Sequence, residues 1–173
     1  TQVVEAMTTN ETLFFRDIHP FDSLRDHVFP RLATARSVTR SLTIWSLACS
    51  TGQEPYSIAM TARDYFSKTP GWNVKIVATD LAEKVLERAR AGVYGQLEVN
   101  RGLPAPMLVK YFTRDAANFK VKPEIRDMID FRPLNLVEQW PLMPKPDIVF
   151  VRNVLIYFDI ETKKRILARV RQS

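Results

Sequence analysis

The sequence predicts an open, doubly wound α/β fold: a parallel sheet with helices on both faces. Three observations carry this. Compact apolar runs rich in β-branched and aromatic residues alternate with stretches of helical spacing. That alternation demands parallel pairing through crossovers, which buries both faces of the sheet. The chain has 173 residues, the size of about one domain, and shows no repeats or low-complexity linkers.

Taken in order, residues 43–47 read as a buried strand. It runs into Ala48-Cys49-Ser50-Thr51-Gly52-Gln53-Glu54-Pro55, a tight turn with a single glycine. Pro55 suits the first turn of a helix, where its missing N–H costs little. Tyr56, Ile58, Ala59, Met60, Ala62, Tyr65 and Phe66 then recur at helical spacing as far as Lys68. Residues 69–72 form a turn, 74–78 a second buried strand ending in Thr79-Asp80, and 82–91 a helix stopped by Gly92.

The pattern weakens from residue 93 to 123. Pro104 opens a short helix through Tyr111, and residues 118–121 read as one arm of a hairpin turning at 115–118. The stretch 112–122 is thus a small β insertion. It holds no glycine, nor does any position between Tyr111 and Leu136, so its loop should differ from a glycine-containing turn. Residues 128–132 and 147–151 are the third and fourth strands, and 160–170 is a closing amphipathic helix. A doubly wound sheet normally continues, so further C-terminal strands are expected beyond residue 173. The whole of 1–173 reads as one ligand-binding domain.

The formal net charge is +6. The arginines and lysines are scattered, and no basic run is interleaved with aromatics as a single-strand-binding groove requires. An acidic protein partner answers to that charge at least as well as nucleic acid. No apolar run approaches the ~18–20 residues of a membrane span, so no membrane insertion is expected. Cys49 is the sole cysteine, which rules out an internal disulfide and suits a reducing cytoplasm. With only His19 and His27 beside it, no metal-ligand spacing exists, and no metal is expected. The protein is expected to be cytoplasmic and monomeric, with no nucleic-acid partner.

Ligands of open α/β sheets bind beyond the carboxyl ends of the strands. Those ends here are residues 48–54, Thr79-Asp80, 134–136 and Arg152-Asn153. Asp80 lies 28 residues past Gly52 and offers two oxygens in one plane to a pair of ribose hydroxyls. It suits a helix N-cap equally well. A pyrophosphate needs close backbone approach, which G-x-G-x-x-G supplies. Here two of those glycines are missing and the anion Glu54 stands at the helix start. A ribose-bearing ligand with positive charge fits better, and S-adenosylmethionine carries a sulfonium and an ammonium against one carboxylate. Glu54 suits the ammonium, although an acid there also gains ~0.3–1 kcal/mol from the helix dipole. An arginine elsewhere should take the carboxylate.

The motifs "NETLFFR" (10–16), "WSLACSTGQEPYSIAM" (45–60), "ATDLAEKVLERARAGVY" (78–94), "FRPLNL" (131–136) and "DIVFVRNVLIYFD" (147–159) stand in that order. Together they resemble the CheR-type chemotaxis methyltransferases, from about Thr9 to the end of the chain. The resemblance implies a Rossmann-like class I methyltransferase sheet with S-adenosylmethionine as cofactor and S-adenosylhomocysteine as product. It also implies transfer to glutamate side chains on the cytoplasmic helices of chemoreceptors, giving γ-carboxyl methyl esters. By the same resemblance Asn10, Thr12 and Arg16 contact the cofactor, Arg16 being the arginine the charge balance asks for. Glu54 and Asp80 match the two acidic cofactor positions. Asn135 and Leu136 fall on the adenine side, and Arg152 and Asn153 at the transfer end. Arg152 is a candidate to hold the attacking carboxylate. Tyr157 lines the methyl pocket or simply packs, and Phe14 and Phe15 anchor their loop in the core.

A glutamate nucleophile is ionised at neutral pH, so no general base is needed. Two competing readings stand beside this one. One is a methyltransferase-fold module that binds cofactor or partner without turnover. The other is a nicotinamide-dependent oxidoreductase, which the missing glycines disfavour.

Overall fold

A computed structural model describes residues 11–173. Ahead of the sheet runs a helical path with no counterpart in the sequence reading: α1 (His19–Ser23), one π-helical turn (Leu24–Val28) and α2 (Phe29–Ala35). Pro30 accounts for the widened turn. Its nitrogen cannot donate to the carbonyl four residues back, and its ring crowds that carbonyl. The Phe29 N–H instead reaches the Leu24 carbonyl, five residues away, as in a π-bulge.

The main sheet begins with β1 (Ser41–Leu47), followed by α3 (Gln53–Phe66), β2 (Asn73–Asp80) and α4 (Glu83–Ala91). Three short helices come next in the chain: α5 (Gln96–Asn100), α6 (Ala105–Tyr111) and α7 (Pro123–Arg126). The sheet is completed by β6 (Ile129–Pro133) and β7 (Ile148–Val151), and α8 (Ile160–Gln172) ends the chain. The strand order is β6–β2–β1–β7 and every pairing is parallel. The chain thus builds outward from β1 to β6, then returns to place β7 on the other side of β1. That reversal is the switch point at which such sheets open a crevice.

Alternate residues of the strands face opposite ways, and the two larger apolar clusters lie on opposite faces of the sheet. Leu42, Ile44 and Ile76 pack with Tyr56, Ile58 and Met60 of α3 and with Phe21 and Phe29. Trp45, Leu47 and Val77 pack with Ile166 of α8 and with Leu134 and Leu136. Each such aliphatic side chain contributes about 1.5–3 kcal/mol on burial. Helices therefore cover both faces, as the near-continuous apolar runs require.

The weakly patterned middle forms a second sheet of order β3–β5–β4, from β3 (Val93–Tyr94), β4 (Phe112–Asp115) and β5 (Asn118–Val121). Its pairings are antiparallel. The expected hairpin is there, and Val93-Tyr94 adds a strand the sequence reading did not include. Asp115 pairs with Asn118, leaving Ala116 and Ala117 as the turn. Ala116 sits at φ 51°, so lack of glycine does not abolish the left-handed turn residue; alanine takes it at a steric cost. The Phe14 ring meets Tyr94 at 4.9 Å and Phe112 at 5.8 Å between centroids, edge-on in both cases, and joins the small sheet to the core. Phe14 and Phe15 are both buried, as expected of anchors.

Candidate active site

A cleft of about 430 Å³ opens at the carboxyl ends of the main-sheet strands. Every one of those strands contributes to it. β1 delivers Ala48, Cys49 and Ser50, and the first turn of α3 adds Glu54. β2 delivers Asp80, β6 is followed by Leu134, Asn135 and Leu136, and β7 by Arg152 and Asn153. The remaining wall is a strap, residues 11–18, which contributes Glu11, Thr12, Leu13 and Arg16. Tyr157 and Phe158 line the cleft from the 3-10 turn Leu155–Tyr157 and its end. The sequence-named positions Thr12, Arg16, Glu54, Asp80, Asn135, Leu136, Arg152, Asn153 and Tyr157 thus converge on one cleft. Asn10 lies outside the described residues.

The turn after β1 needs its one glycine. Gly52 has φ 98°, and a Cβ there would come within 3.0 Å of both Ala89 Cβ and Tyr94 Oη. The Tyr94 hydroxyl donates to the Thr51 carbonyl at 2.6 Å, fixing the turn from below. Ala48 and Ser50 also take positive φ, at 57° and 50°. This geometry aims the Ser50 N–H at Asp80 Oδ2, 2.8 Å away, while the Ala82 N–H holds Oδ1 at 3.1 Å. The Asp80 carboxylate plane is therefore set by the backbone. Each oxygen keeps a second lone pair for a ligand. Ala82 is itself the N-cap residue of α4, so Asp80 does not cap that helix, and the N-cap alternative gives way.

Glu54 is the second acid. It accepts from Ser46 Oγ at 2.8 Å and from Arg152 Nη1 at 3.2 Å. Burial pushes its carboxyl pKa up, against the pull of Ser46 and Arg152. Burial likewise pushes up the Cys49 thiol, with Asp80 and Glu54 adding to the rise, which favours the neutral thiol. Asn135 Oδ1 accepts from the Val137 N–H at 3.1 Å, which orients its amide. On the strap, Arg16 Nη1 donates to the Glu11 carbonyl at 2.8 Å, and the Phe15 N–H donates to Ser57 Oγ of α3 at 3.0 Å.

Residues of this neighbourhood without an individual site role in the sequence reading include Cys49, Ser50, Phe21 and Asp17. Cys49 and Ser50 fall inside the strand-end stretch 48–54, so their position was visible though their contacts were not. Phe21 and Asp17 carried no signal, because they belong to the helical path and strap that lack strong periodicity. Among the described residues no group of three His, Cys, Asp or Glu side chains could hold a metal ion. Among the same residues no helix is long and apolar enough to cross a membrane.

The strand order and a backbone-fixed carboxylate at the end of β2 define a Rossmann-like domain built to hold a nucleoside. Residues 10–173 match the family described as CheR methyltransferase, SAM binding domain, and the chain belongs to that family. It is 49% identical over 173 residues to chemotaxis protein methyltransferase 1 of Pseudomonas aeruginosa, covering 97% of this chain and 62% of that protein. It is 47% identical to the chemotaxis protein methyltransferase of Vibrio parahaemolyticus, covering 98% and 62%. Against the chemotaxis protein methyltransferase of Escherichia coli K12 the identity is 41%, covering 96% and 57%. The chain spans less than two thirds of the length of these curated relatives.

S-adenosylmethionine is the cofactor of this domain family, and the cleft suits it. Its volume lies in the range of small-molecule sites. Its charged lining residues are Glu11, Glu54, Asp80 and Glu138 with Arg16 and Arg152, and Leu134, Leu136 and Phe158 supply apolar wall. That donor set matches a ribose, an ammonium, a carboxylate and a base.

Proposed function

We propose that this chain is the catalytic domain of a protein-glutamate O-methyltransferase that forms γ-carboxyl methyl esters on the cytoplasmic helices of chemoreceptors. The observation that carries the reading is the pairing of Asp80 and Glu54 with an arginine-bearing strap across one cleft. No histidine or lysine lines that cleft among the described residues. A reaction whose nucleophile is already ionised requires none.

In this reading Asp80, fixed by two N–H donors, accepts the ribose hydroxyls. Glu54 takes the ammonium and Arg16 the carboxylate of the cofactor's tail. Thr12 and Asn10 add strap contacts, and Asn135 with Leu136 holds the adenine edge. When bound, S-adenosylmethionine supplies a sulfonium-activated methyl group for in-line displacement. The protein's own part is alignment and exclusion of water from the incoming carboxylate. Tyr157 and Asn153 stand at the transfer end of the cleft. Arg152, engaged with Glu54 through Nη1, is the candidate to hold the incoming carboxylate once the ammonium takes Glu54. The acceptor is an acidic protein segment, in keeping with the net charge of +6.

The test is incubation of the chain with methyl-labelled S-adenosylmethionine and a chemoreceptor cytoplasmic fragment, followed by mild base. Volatile labelled methanol is expected, since carboxyl methyl esters hydrolyse under base. A protein that binds S-adenosylhomocysteine yet releases no methanol would instead be a binding module without turnover.

A further inference from the structure

Arg152 is shared among three acceptors on two segments. Its Nη1 donates to Glu54 Oε2 at 3.2 Å; its Nη2 donates to Asp17 Oδ2 at 2.8 Å and to the Arg16 carbonyl at 2.9 Å. The guanidinium lies over the Phe21 ring, 5.7 Å from its centroid. Two carboxylates therefore share one cation through different nitrogens, and they differ in setting. The Glu54 side chain is 16% exposed and that of Asp17 is 62% exposed.

Under the reading above, the ammonium of the ligand must come to Glu54, where Arg152 is already its rival. With Glu54 as sole partner, Arg152 would be left as an uncompensated, largely buried cation whenever it yielded. Such a charge is costly. Asp17 removes that obstacle, because it holds Nη2 from the solvent side while Nη1 is given up. Its position is maintained at a backbone cost: Asp17 sits at φ 65°, between Phe15 at 50° and Ile18 at 34°. Strain of this kind persists where surrounding contacts over-determine it.

We propose that Asp17 is a positioning residue for ligand binding, the second anchor of Arg152 that frees Glu54 for a cationic group. This rests on Glu54 as the partner of the ammonium, and the experiment separates the two claims. The chain is titrated by calorimetry with S-adenosylhomocysteine and with its deamino analogue, which keeps the carboxylate and lacks the amino group. The parent should prefer S-adenosylhomocysteine. Asp17→Asn is the variant of choice, since asparagine matches the shape and tolerates positive φ. It should weaken S-adenosylhomocysteine about two- to fivefold, the range of an exposed ion pair, and leave the deamino analogue unchanged. Asp17→Glu should recover part of the loss.

Equal weakening of both ligands would mean that the strap has moved together with Arg16, and would overturn the proposal. So would a preference that survives intact in Asp17→Asn. A parent that binds both ligands alike would remove the Glu54 reading and this inference together. Should Asp17→Asn fail to fold, Asp17→Gly, which relieves the positive φ, carries the same expectations.

Discussion

The cleft and the β4–β5 turn both force non-glycine residues into the left-handed region, yet they are held in opposite ways. Around the cleft, three of the residues at positive φ are cross-linked to distant parts of the chain: Phe15 to Ser57, Ser50 to Asp80, Asp17 to Arg152. At the turn, Ala116 is exposed and is held only by the strands on either side of it. Strain at the cleft aims donors and acceptors, so relieving it should cost function. Strain at the turn aims nothing, and relieving it should be a gain.

The sharpest test is Asp80→Ala. It removes a charge-assisted acceptor from the ligand, about 1.5–3 kcal/mol of affinity, and orphans the Ser50 and Ala82 N–H groups, about 1–3 kcal/mol of stability. Calorimetry with S-adenosylhomocysteine and a denaturant midpoint read the two losses separately. Undiminished binding by a folded variant would dissolve the special standing given to the cleft.

Glu54→Gln comes next, at about 1.5 kcal/mol of affinity for the cofactor at neutral pH, the lower end for hydrogen bonds to charged groups. Burial raises the Glu54 pKa in the folded state above its unfolded value. On that sign its ionised form costs stability above the raised pKa, and the folded state gains as pH falls through it. Ligand binding runs the other way, because protonated Glu54 has no charge to offer an ammonium. Affinity for S-adenosylhomocysteine should therefore decline on acidification, starting above the usual glutamate value of about 4.3. Binding measured across pH should lose that feature in Glu54→Gln; a variant that keeps it assigns the titration elsewhere.

Ala116→Gly is the smallest effect and of opposite sign. Glycine relieves the steric cost at φ 51° and gives back part of the gain as chain entropy, for a net stabilisation of about 0.5 kcal/mol. That corresponds to a thermal midpoint higher by roughly 1–2 °C in a chain of this size. Cofactor affinity should not change. A fall in either quantity would show that the turn does carry a duty.

The parallel strands were legible because each is buried on both faces and so reads as an unbroken apolar run. Residues 43–47 and 74–78 appear as the inner parts of β1 and β2. The site was legible for a related reason: in a doubly wound sheet, strand ends are ligand positions, and Asp80, Glu54, Asn135 and Arg152 follow strands directly or open the next helix. What escaped is set by contacts between residues far apart in the chain. The bonds that fix the Asp80 plane come from backbone N–H groups, which no residue type announces. The Glu54–Arg152 pair joins positions 98 residues apart. The helical path at residues 19–35 was hidden by Pro20 and Pro30, which break the usual helical pattern, one at a helix start and one at a π-turn.

The strap also sets an order of events. Its closures join Phe15 to Ser57 across 42 residues, and Asp17 to Arg152 across 135. Each doubling of a closed loop costs only about 0.6 kcal/mol more, but such closures have no partner until the elements they join exist. Ser57 is presented only once α3 has formed and docked, and Arg152 only once β7 has joined β1. The strap wall of the cleft is therefore expected to close after the sheet that supports it. On a newly made chain, competence to take up cofactor should then report that folding has finished rather than begun.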